Sequence, residues 1–213
     1  LTLLGRRWIA PLSIIGIGII ISFTRNVWIG AIVGTSTIIE IIPRKTLLIL
    51  LLPVGAALVA GSPLIYHRLS MSAEEGFGPD VGRIALIETG LQMAGDHPMF
   101  GVGPQRVATE FVRYYDGGNS DTFYYGHMHN NFLQIAVERG LICLFTFLWF
   151  FVELYRGLWR LKRTSDLTLR MASFSALAAL TGFLVAGLFE FNFGDSEVLM
   201  LFLFIVSVPF GLA

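Results

Sequence analysis

Residues 132–154 read FLQIAVERGLICLFTFLWFFVEL, an apolar run interrupted by only three charged side chains. A helix needs about 20 mostly apolar residues to cross the roughly 30 Å hydrocarbon core of a bilayer, so this run predicts a membrane span. The rest of the 213-residue chain is similar, with 54% hydrophobic and 14% charged residues and a mean hydropathy of +0.70. Soluble domains carry about 25% charged residues. We therefore predict an integral membrane protein rather than a soluble globular domain.

Six apolar runs predict an all-α fold, a polytopic transmembrane helix bundle of about six spans with a partly helical loop outside the cytoplasm. In chain order the runs are Trp8–Phe23, Val27–Ile42, Thr46–Gly61, Phe132–Leu154, Met171–Phe189 and Val198–Ala213. Three spans thus lie in residues 1–61, a loop or cap region in residues 62–131, and three more spans in residues 132–213. The spacing Gly30-x-x-x-Gly34 favours close helix packing. We expect the chain to be a piece of a longer polytopic protein, because it starts at Leu1 and shows no signal-peptide cleavage site.

The distribution of charge predicts the orientation. Fifteen basic and fifteen acidic residues cancel, so there is no overall field to attract nucleic acid. Basic residues concentrate in alternate loops, which marks the cytoplasmic side: Arg6, Arg7, Arg44, Lys45, Arg156, Arg160, Lys162, Arg163 and Arg170. The four histidines all fall on the opposite side, in the long loop: His67, His97, His127 and His129. We therefore predict that the titratable chemistry lies outside the cytoplasm. The single cysteine, Cys143, excludes an internal disulfide and a cysteine-based metal cluster.

The long loop has helical signals of its own. Between Pro79 and Pro98, the residues Ile84, Ile87, Leu91 and Ala94 recur at helical spacing, which predicts an amphipathic helix with these side chains on its apolar face. Asp80 is a candidate N-cap, and Gly95 is a candidate stop. A second short helix is predicted from Val107 to Tyr115, before the turn-rich residues 116–121.

Arginines are frequent on the side where basic residues are normally scarce. Arg25 lies at the junction of two apolar runs, and Arg68, Arg83, Arg106 and Arg113 lie in the long loop. A guanidinium at the membrane boundary either extends to the lipid headgroups or binds an anion at the mouth of the bundle. Pairing with acidic residues of the same loop is a further alternative.

His127 and His129 immediately precede the fourth apolar run, so an imidazole is expected close to the membrane surface. An imidazole there can act as a general base near neutral pH. The alternatives are a structural histidine that caps the helix, and a metal site with His97 or Asp96 as a third ligand. We predict no metal site. Glu138 is nine positions from His129, so the two would face opposite sides of a straight helix. The carboxylates of the last external turn, Glu190, Asp195 and Glu197, are better placed to orient an imidazole.

Three motifs, which follow one another along the chain in the family's order, resemble those of the O-antigen ligase and polymerase superfamily of bacterial inner-membrane glycosyltransferases. His129-Asn130, nine residues, and then Gly140-Leu141-Ile142-Cys143 is similar to the family's His-Asn-x9-Gly-x-x-Gly signature, with Cys143 in place of the second glycine. The stretch GDHPMFGVGPQRV, residues 95–107, resembles the family's Asp-His-Pro and Gly-x-Gly segment. TRNVWIG, residues 24–30, resembles its Ser/Thr-Arg motif at an external helix end. Because family members carry about twice as many spans, the chain resembles their C-terminal half.

The resemblance implies a metal-independent enzyme of the inner membrane that needs no cofactor. It would transfer a glycan from an undecaprenyl-diphosphate-linked donor to an acceptor hydroxyl, of lipid A core or another glycan, at the periplasmic face. It implies that His129 is catalytic and that Arg25 and Arg83 bind the anionic donor, with Arg106 in reserve. His127 and Asn130 are further candidate substrate-binding residues. Arginine suits the developing charge of a leaving diphosphate, because its planar fork donates several hydrogen bonds.

The acceptor is not specified by these motifs. A ligase that acts on lipid A core is the leading hypothesis, and a glycan polymerase or a protein O-oligosaccharyltransferase shares its donor chemistry. A non-enzymatic transporter subunit predicts charged residues along the middle of the helices, whereas here they cluster at helix ends and in one loop. A catalytically idle scaffold would lose no activity when His129 is changed.

Overall fold

The computed structural model describes residues 14–19, 25–37, 79–115 and 126–213. Residues 14–19 are helical, and six longer helices follow: α1 (Arg25–Ser36), α2 (Pro79–Asp96), α3 (Val107–Tyr114), α4 (Asn131–Leu161), α5 (Leu167–Ala186) and α6 (Ser196–Leu212). A short 3₁₀ turn, Asn192–Gly194, connects α5 to α6. The described ranges contain no β-strand, which confirms the all-α class.

Two of the helices, α4 and α5, are long and apolar enough to cross a membrane by length and composition. The helices α1 and α6 are apolar but shorter. The predicted run Thr46–Gly61 lies outside the described residues, as do His67 and all of Trp8–Phe23 except residues 14–19. The count of six spans therefore stays a prediction.

Helix α4 is interrupted at Gly140, whose φ of 81° and ψ of 174° are not helical. The loop between α2 and α3 docks against the interruption. The amide of Leu141 donates to the carbonyl of Pro98 (2.7 Å), and the amide of Val102 donates to that of Val137 (2.8 Å). Before Gly140 most of α4 is buried, whereas after it apolar side chains such as Phe145 and Trp149 are exposed.

The predicted close packing at Gly30 and Gly34 is confirmed. These glycines of α1 face Gly182 and Ala186 of α5, and a β-carbon added to Gly34 would lie 2.7 Å from the carbonyl oxygen of Ala178. Such small residues let two helix backbones approach within direct contact. The packing brings the end of α1 that starts at Arg25 to the end of α5 that leads into Glu190.

Two apolar cores hold the helices together. The first lies between α4, α5 and α6, where Phe151, Phe183 and Phe202 pack together, with the rings of Phe183 and Phe202 stacked 4.2 Å apart. The second joins α2 and α3 to the first part of α4 and includes Phe111 and the fully enclosed Met128. Met128 lies between the two candidate histidines, so this core also fixes the histidine turn.

Helix α2 is confirmed, and of the four apolar residues that predict it only Ala94 packs against the second core. Ile84, Ile87 and Leu91 are exposed, whereas Leu86 and Met93 are buried and Gly90 contacts Leu133 of α4. The helix is apolar on two sides, so periodicity alone could not indicate which side packs against α4. The α3 prediction is confirmed to within one residue.

Candidate active site

The turn of residues 126–130 positions the two candidate histidines. Gly126 has a φ of 86° and His129 has a φ of 46°. Both lie in the left-handed region of the backbone, which residues other than glycine rarely adopt. The burial of Met128 and a bond from its amide to the Gln134 side chain (2.9 Å) hold the turn in place. As a result, the imidazoles of His127 and His129 lie on the same side, with ring centroids 4.2 Å apart.

Glu190 is the carboxylate that meets this pair. Its Oε1 and Oε2 atoms lie 3.0 and 3.2 Å from Nδ1 of His129, and Oε1 lies 3.7 Å from Nδ1 of His127. The backbone amide of Phe191 also donates to Glu190 Oε1 (3.0 Å). Of the three carboxylates expected to be able to orient an imidazole, the structure therefore selects Glu190. Glu138 instead bonds the Gln105 amide and the Gln134 side chain, in keeping with the expectation that it does not pair with His129.

The two asparagines at the start of α4 hold the Glu190 segment against the histidine turn. The amide of Asn131 donates to Gly187 O (2.7 Å), and the side chain of Asn131 accepts from the amide of Phe193 (3.0 Å). Asn130 donates to Leu188 O and also caps α4, because its side-chain oxygen accepts from two backbone amides of the first turn. A β-carbon added to Gly187 would collide with the side-chain amide group of Asn131. Asn130 therefore has a structural role here, and its role in substrate binding stays a prediction.

Electrostatics favour an ionised Glu190 beside an uncharged His127. The hydrogen bond with His129 lowers the pKa of Glu190, the Phe191 amide lowers it further, and burial opposes both. Burial and the neighbouring His129 lower the pKa of His127, whereas Glu190 and Asp195 act in the opposite direction. An ionised carboxylate can only accept, so Nδ1–H of His129 is the donor in this hydrogen bond, and a neutral imidazole held in this way has its lone pair on Nε2. This is the tautomer that a general base requires.

Among the described residues, the side chains that could hold a metal ion are those of His127, His129 and Glu190. One donor atom each of His127, His129 and Glu190 lies within 4.8 Å of the others. Ligands of a tetrahedral zinc ion at 2.0–2.1 Å would be roughly 3.4 Å apart, so the group would have to contract. The suggested third ligand His97 lies elsewhere, with its Nε2 3.3 Å from the hydroxyl of Tyr114. That the site uses no metal stays a prediction.

The three candidate arginines lie in different parts of the structure. Arg25 is the first residue of α1, at the end of the bundle that carries Glu190. Arg83 is exposed and makes no ion pair with a residue that the structure describes. It lies two turns before Gly90, toward the end of α2 nearest the start of α4. Arg106 lies in a separate polar pocket with His97 and Tyr114, and its nearest carboxylate is Glu110 at 3.8 Å.

A cavity of about 570 Å³ between α1, α5 and α6 opens beside the site. Small and apolar residues such as Gly34, Ala178 and Val198 line its walls, and Glu190, Asn192 and Asp195 line one part. An amphiphilic molecule could therefore place its chain among the helices and its polar end beside Glu190.

Residues that the sequence interpretation did not single out complete the site. Asn131 and Gln134 are buried and carry the hydrogen bonds that join the histidine turn to its neighbours. Their signal in the sequence is an amide side chain inside an apolar run, which needs a polar partner when buried.

Comparison with known proteins adds one match. A family model described as O-antigen ligase matches residues 10–148, a range that contains all three motifs and ends within α4. Neither a curated protein nor a solved structure matches the chain. Because Glu190 lies beyond the matched range, its contact with His129 is a finding of the structure alone.

Proposed function

The chain belongs to the O-antigen ligase family, which implies glycan transfer of the O-antigen ligase or polymerase type, and we propose a specific reaction for it. It transfers a glycan from undecaprenyl diphosphate to a hydroxyl of lipid A core at the periplasmic face of the bacterial inner membrane, without a metal. The contact between His129 and Glu190 carries this proposal, because it supplies an oriented base at the end of the bundle.

In the proposed reaction, the acceptor hydroxyl attacks the anomeric carbon of the donor sugar. Nε2 of His129, which is buried in the structure, takes the hydroxyl proton once acceptor binding exposes it, as the new glycosidic bond forms and the bond to the diphosphate oxygen breaks. Glu190 keeps the imidazole in its tautomer and stabilises the imidazolium that results, as a carboxylate does in a catalytic triad. The electron pair of the broken bond leaves with undecaprenyl diphosphate.

The leaving diphosphate needs positive charge that does not depend on protonation. Arg25 and Arg83 are proposed for this role, since α1, which begins at Arg25, packs through Gly30 against Ala186 of α5, and Arg83 lies two turns before Gly90, which contacts Leu133 of α4. Arginine remains charged at any physiological pH, and its fork can bond two phosphate oxygens at once. Arg106, in its separate pocket, is a weaker candidate for contact with the reacting atoms.

Two further observations support a lipid-linked donor that is handled outside the cytoplasm. The cavity between α1, α5 and α6 combines an apolar lining with the Glu190 carboxylate, which suits a polar head on a long hydrocarbon chain. The connection between α4 and α5 carries Lys162 and Arg163, at the opposite end of the bundle from His129. By the positive-inside rule that end is cytoplasmic, so the His129 end faces the periplasm.

The test is a transfer assay in membranes, with the chain as part of its full-length protein. An isolated undecaprenyl-diphosphate glycan is supplied together with lipid A core in the presence of EDTA, and the products are separated by mass. Glycan on lipid A core is the expected product. A longer lipid-linked glycan would identify a polymerase instead, and glycan on protein would identify an O-oligosaccharyltransferase. If glycan is transferred in the absence of EDTA but not in its presence, the metal-independent reaction is refuted.

A further inference from the structure

A second groove lies on the other side of α6, between α6 and α4. Its volume is about 540 Å³, and its walls are formed by Phe147 and Phe150 of α4 and by Leu199 and Leu203 of α6. Phe191, Phe193 and Gly194 line the end nearest the candidate active site. The lining is almost wholly apolar, apart from the charged pair Glu138 and Arg139 at the same end.

Arg139 is the cation at the mouth of this groove. Its side chain is 54% exposed, and its closest carboxylate oxygen is Oε1 of Glu138 at 3.7 Å. That carboxylate also accepts two other hydrogen bonds, one by Oε1 from the Gln105 amide and one by Oε2 from the side chain of Gln134, both at 3.0 Å. Glu138 is thus committed to holding the loop that docks on α4, and the Arg139 guanidinium keeps donors for a second anion.

The position of Arg139 along α4 indicates the kind of anion. It directly precedes Gly140, where the exposed apolar part of the helix begins. It therefore lies where the buried first part of α4 gives way to the exposed apolar part, which is the level expected for the lipid headgroups when that apolar part lies in the hydrocarbon core. From Gly140 to Phe150 the groove follows α4 for about 15 Å into that core. A ligand that satisfies both ends has an anionic head and at least one hydrocarbon chain.

We propose that this groove binds one molecule of an anionic membrane phospholipid. Its phosphate pairs with Arg139, and one acyl chain lies between α4 and α6. We assign the groove to a bilayer lipid rather than to the glycan donor, because among the described residues it shares no lining residue with the cavity that reaches Glu190 and meets the candidate active site at Phe191. By filling the space between α4 and α6, the lipid stabilises the helices that carry the site. This inference does not depend on the proposed transfer reaction.

The test compares two phospholipids with identical acyl chains in the detergent-purified protein. Phosphatidylglycerol should raise the Tm more than zwitterionic phosphatidylcholine does, by on the order of 2–4 °C, since a ligand that binds only the folded state stabilises it. The difference should vanish in Arg139→Gln. It should persist in Arg156→Gln, a matched control in which an equally exposed arginine of the same helix, paired with Glu153, is removed. Glycerol 3-phosphate, which has the head group without the chain, should leave the Tm unchanged.

Equal shifts with the two lipids, or an undiminished preference in Arg139→Gln, would overturn the proposal. A shift with glycerol 3-phosphate as large as that with phosphatidylglycerol would also overturn it, because a free phosphate would then suffice. If Arg139→Gln does not fold, native mass spectrometry of the parent decides the question. Phosphatidylglycerol should stay bound at collision energies that remove phosphatidylcholine, and equal retention would contradict the site.

Discussion

Replacing Gly140 with alanine should destabilise the protein more than any change at an exposed glycine. The φ of 81° and ψ of 174° at this position belong to a region that is essentially restricted to glycine. An added β-carbon would also collide with the carbonyl of Met99. The alanine variant must therefore either hold a strained backbone or push the loop that precedes α3 away from α4.

The cost follows from these two effects. Holding a non-glycine residue in such a conformation costs about 1–3 kcal/mol. Displacing the loop weakens the bond from Leu141 N to Pro98 O (2.7 Å) and its neighbours, which are worth about 0.5–1.5 kcal/mol each. We expect a total loss of roughly 2–4 kcal/mol in the free energy of unfolding. In a chain of this size that corresponds to a fall in Tm of about 5–15 °C.

The measurement is thermal unfolding in detergent, with Gly95→Ala as the matched control. Gly95 also lies in a helix, but it has an ordinary φ and no heavy atom within 4 Å of an added β-carbon. Alanine there should be neutral or should stabilise α2 by up to about 1 kcal/mol. If Gly140→Ala unfolds within about 1 °C of Gly95→Ala, the interruption of α4 is not held by the docked loop and the reasoning fails.

Three further experiments test the site. Glu190→Gln should reduce transfer by on the order of a hundredfold or more, since the tautomer of the base is lost, whereas Asp195→Asn should leave most of the rate; equal rates for the two variants would contradict the assignment. Because the pKa of His127 is lowered by folding, the unfolded chain takes up a proton first as the pH falls below about 6.5, and stability declines. His127→Gln should therefore lose less Tm than the parent between pH 7 and pH 5.5, and an identical loss would count against a buried neutral imidazole. Arg25→Lys and Arg83→Lys should both impair transfer, because a point charge does not reproduce the arginine fork, and normal rates in both would exclude bidentate binding.

The sequence predicts most of the helices but not which of their faces pack. Helix α2 was predicted from Ile84, Ile87 and Leu91, yet it packs through Leu86 and Met93 on its other side. The sequence did not predict the break in α4 at Gly140 either. A glycine in an apolar run indicates close packing, and its actual conformation depends on backbone atoms of the loop near Pro98, about forty positions earlier in the chain.

The sequence predicts a candidate base for the site but not the carboxylate that contacts it. The His-Asn motif at His129 indicates the base, whereas three carboxylates of the last external turn were equal candidates for its orientation. The choice of Glu190 depends on the hydrogen bonds that hold Gly187 against Asn131, which bring residues about sixty positions apart into contact. Sequence spacing carries no information on such a contact. It disfavours only Glu138, on the expectation that His129 and Glu138 share a straight helix, whereas in the structure His129 lies in the turn before α4.

The most direct test of the general-base assignment is the transfer rate of His129→Gln at neutral pH, measured beside His127→Gln in the same membranes. Glutamine can keep a hydrogen bond to Glu190 but cannot accept the acceptor's proton, so the variant should fold normally and lose on the order of a hundredfold to ten-thousandfold in rate. His127→Gln should keep most of the parent rate. If His129→Gln transfers glycan at close to the parent rate while correctly folded, His129 is structural and the proposed mechanism is wrong.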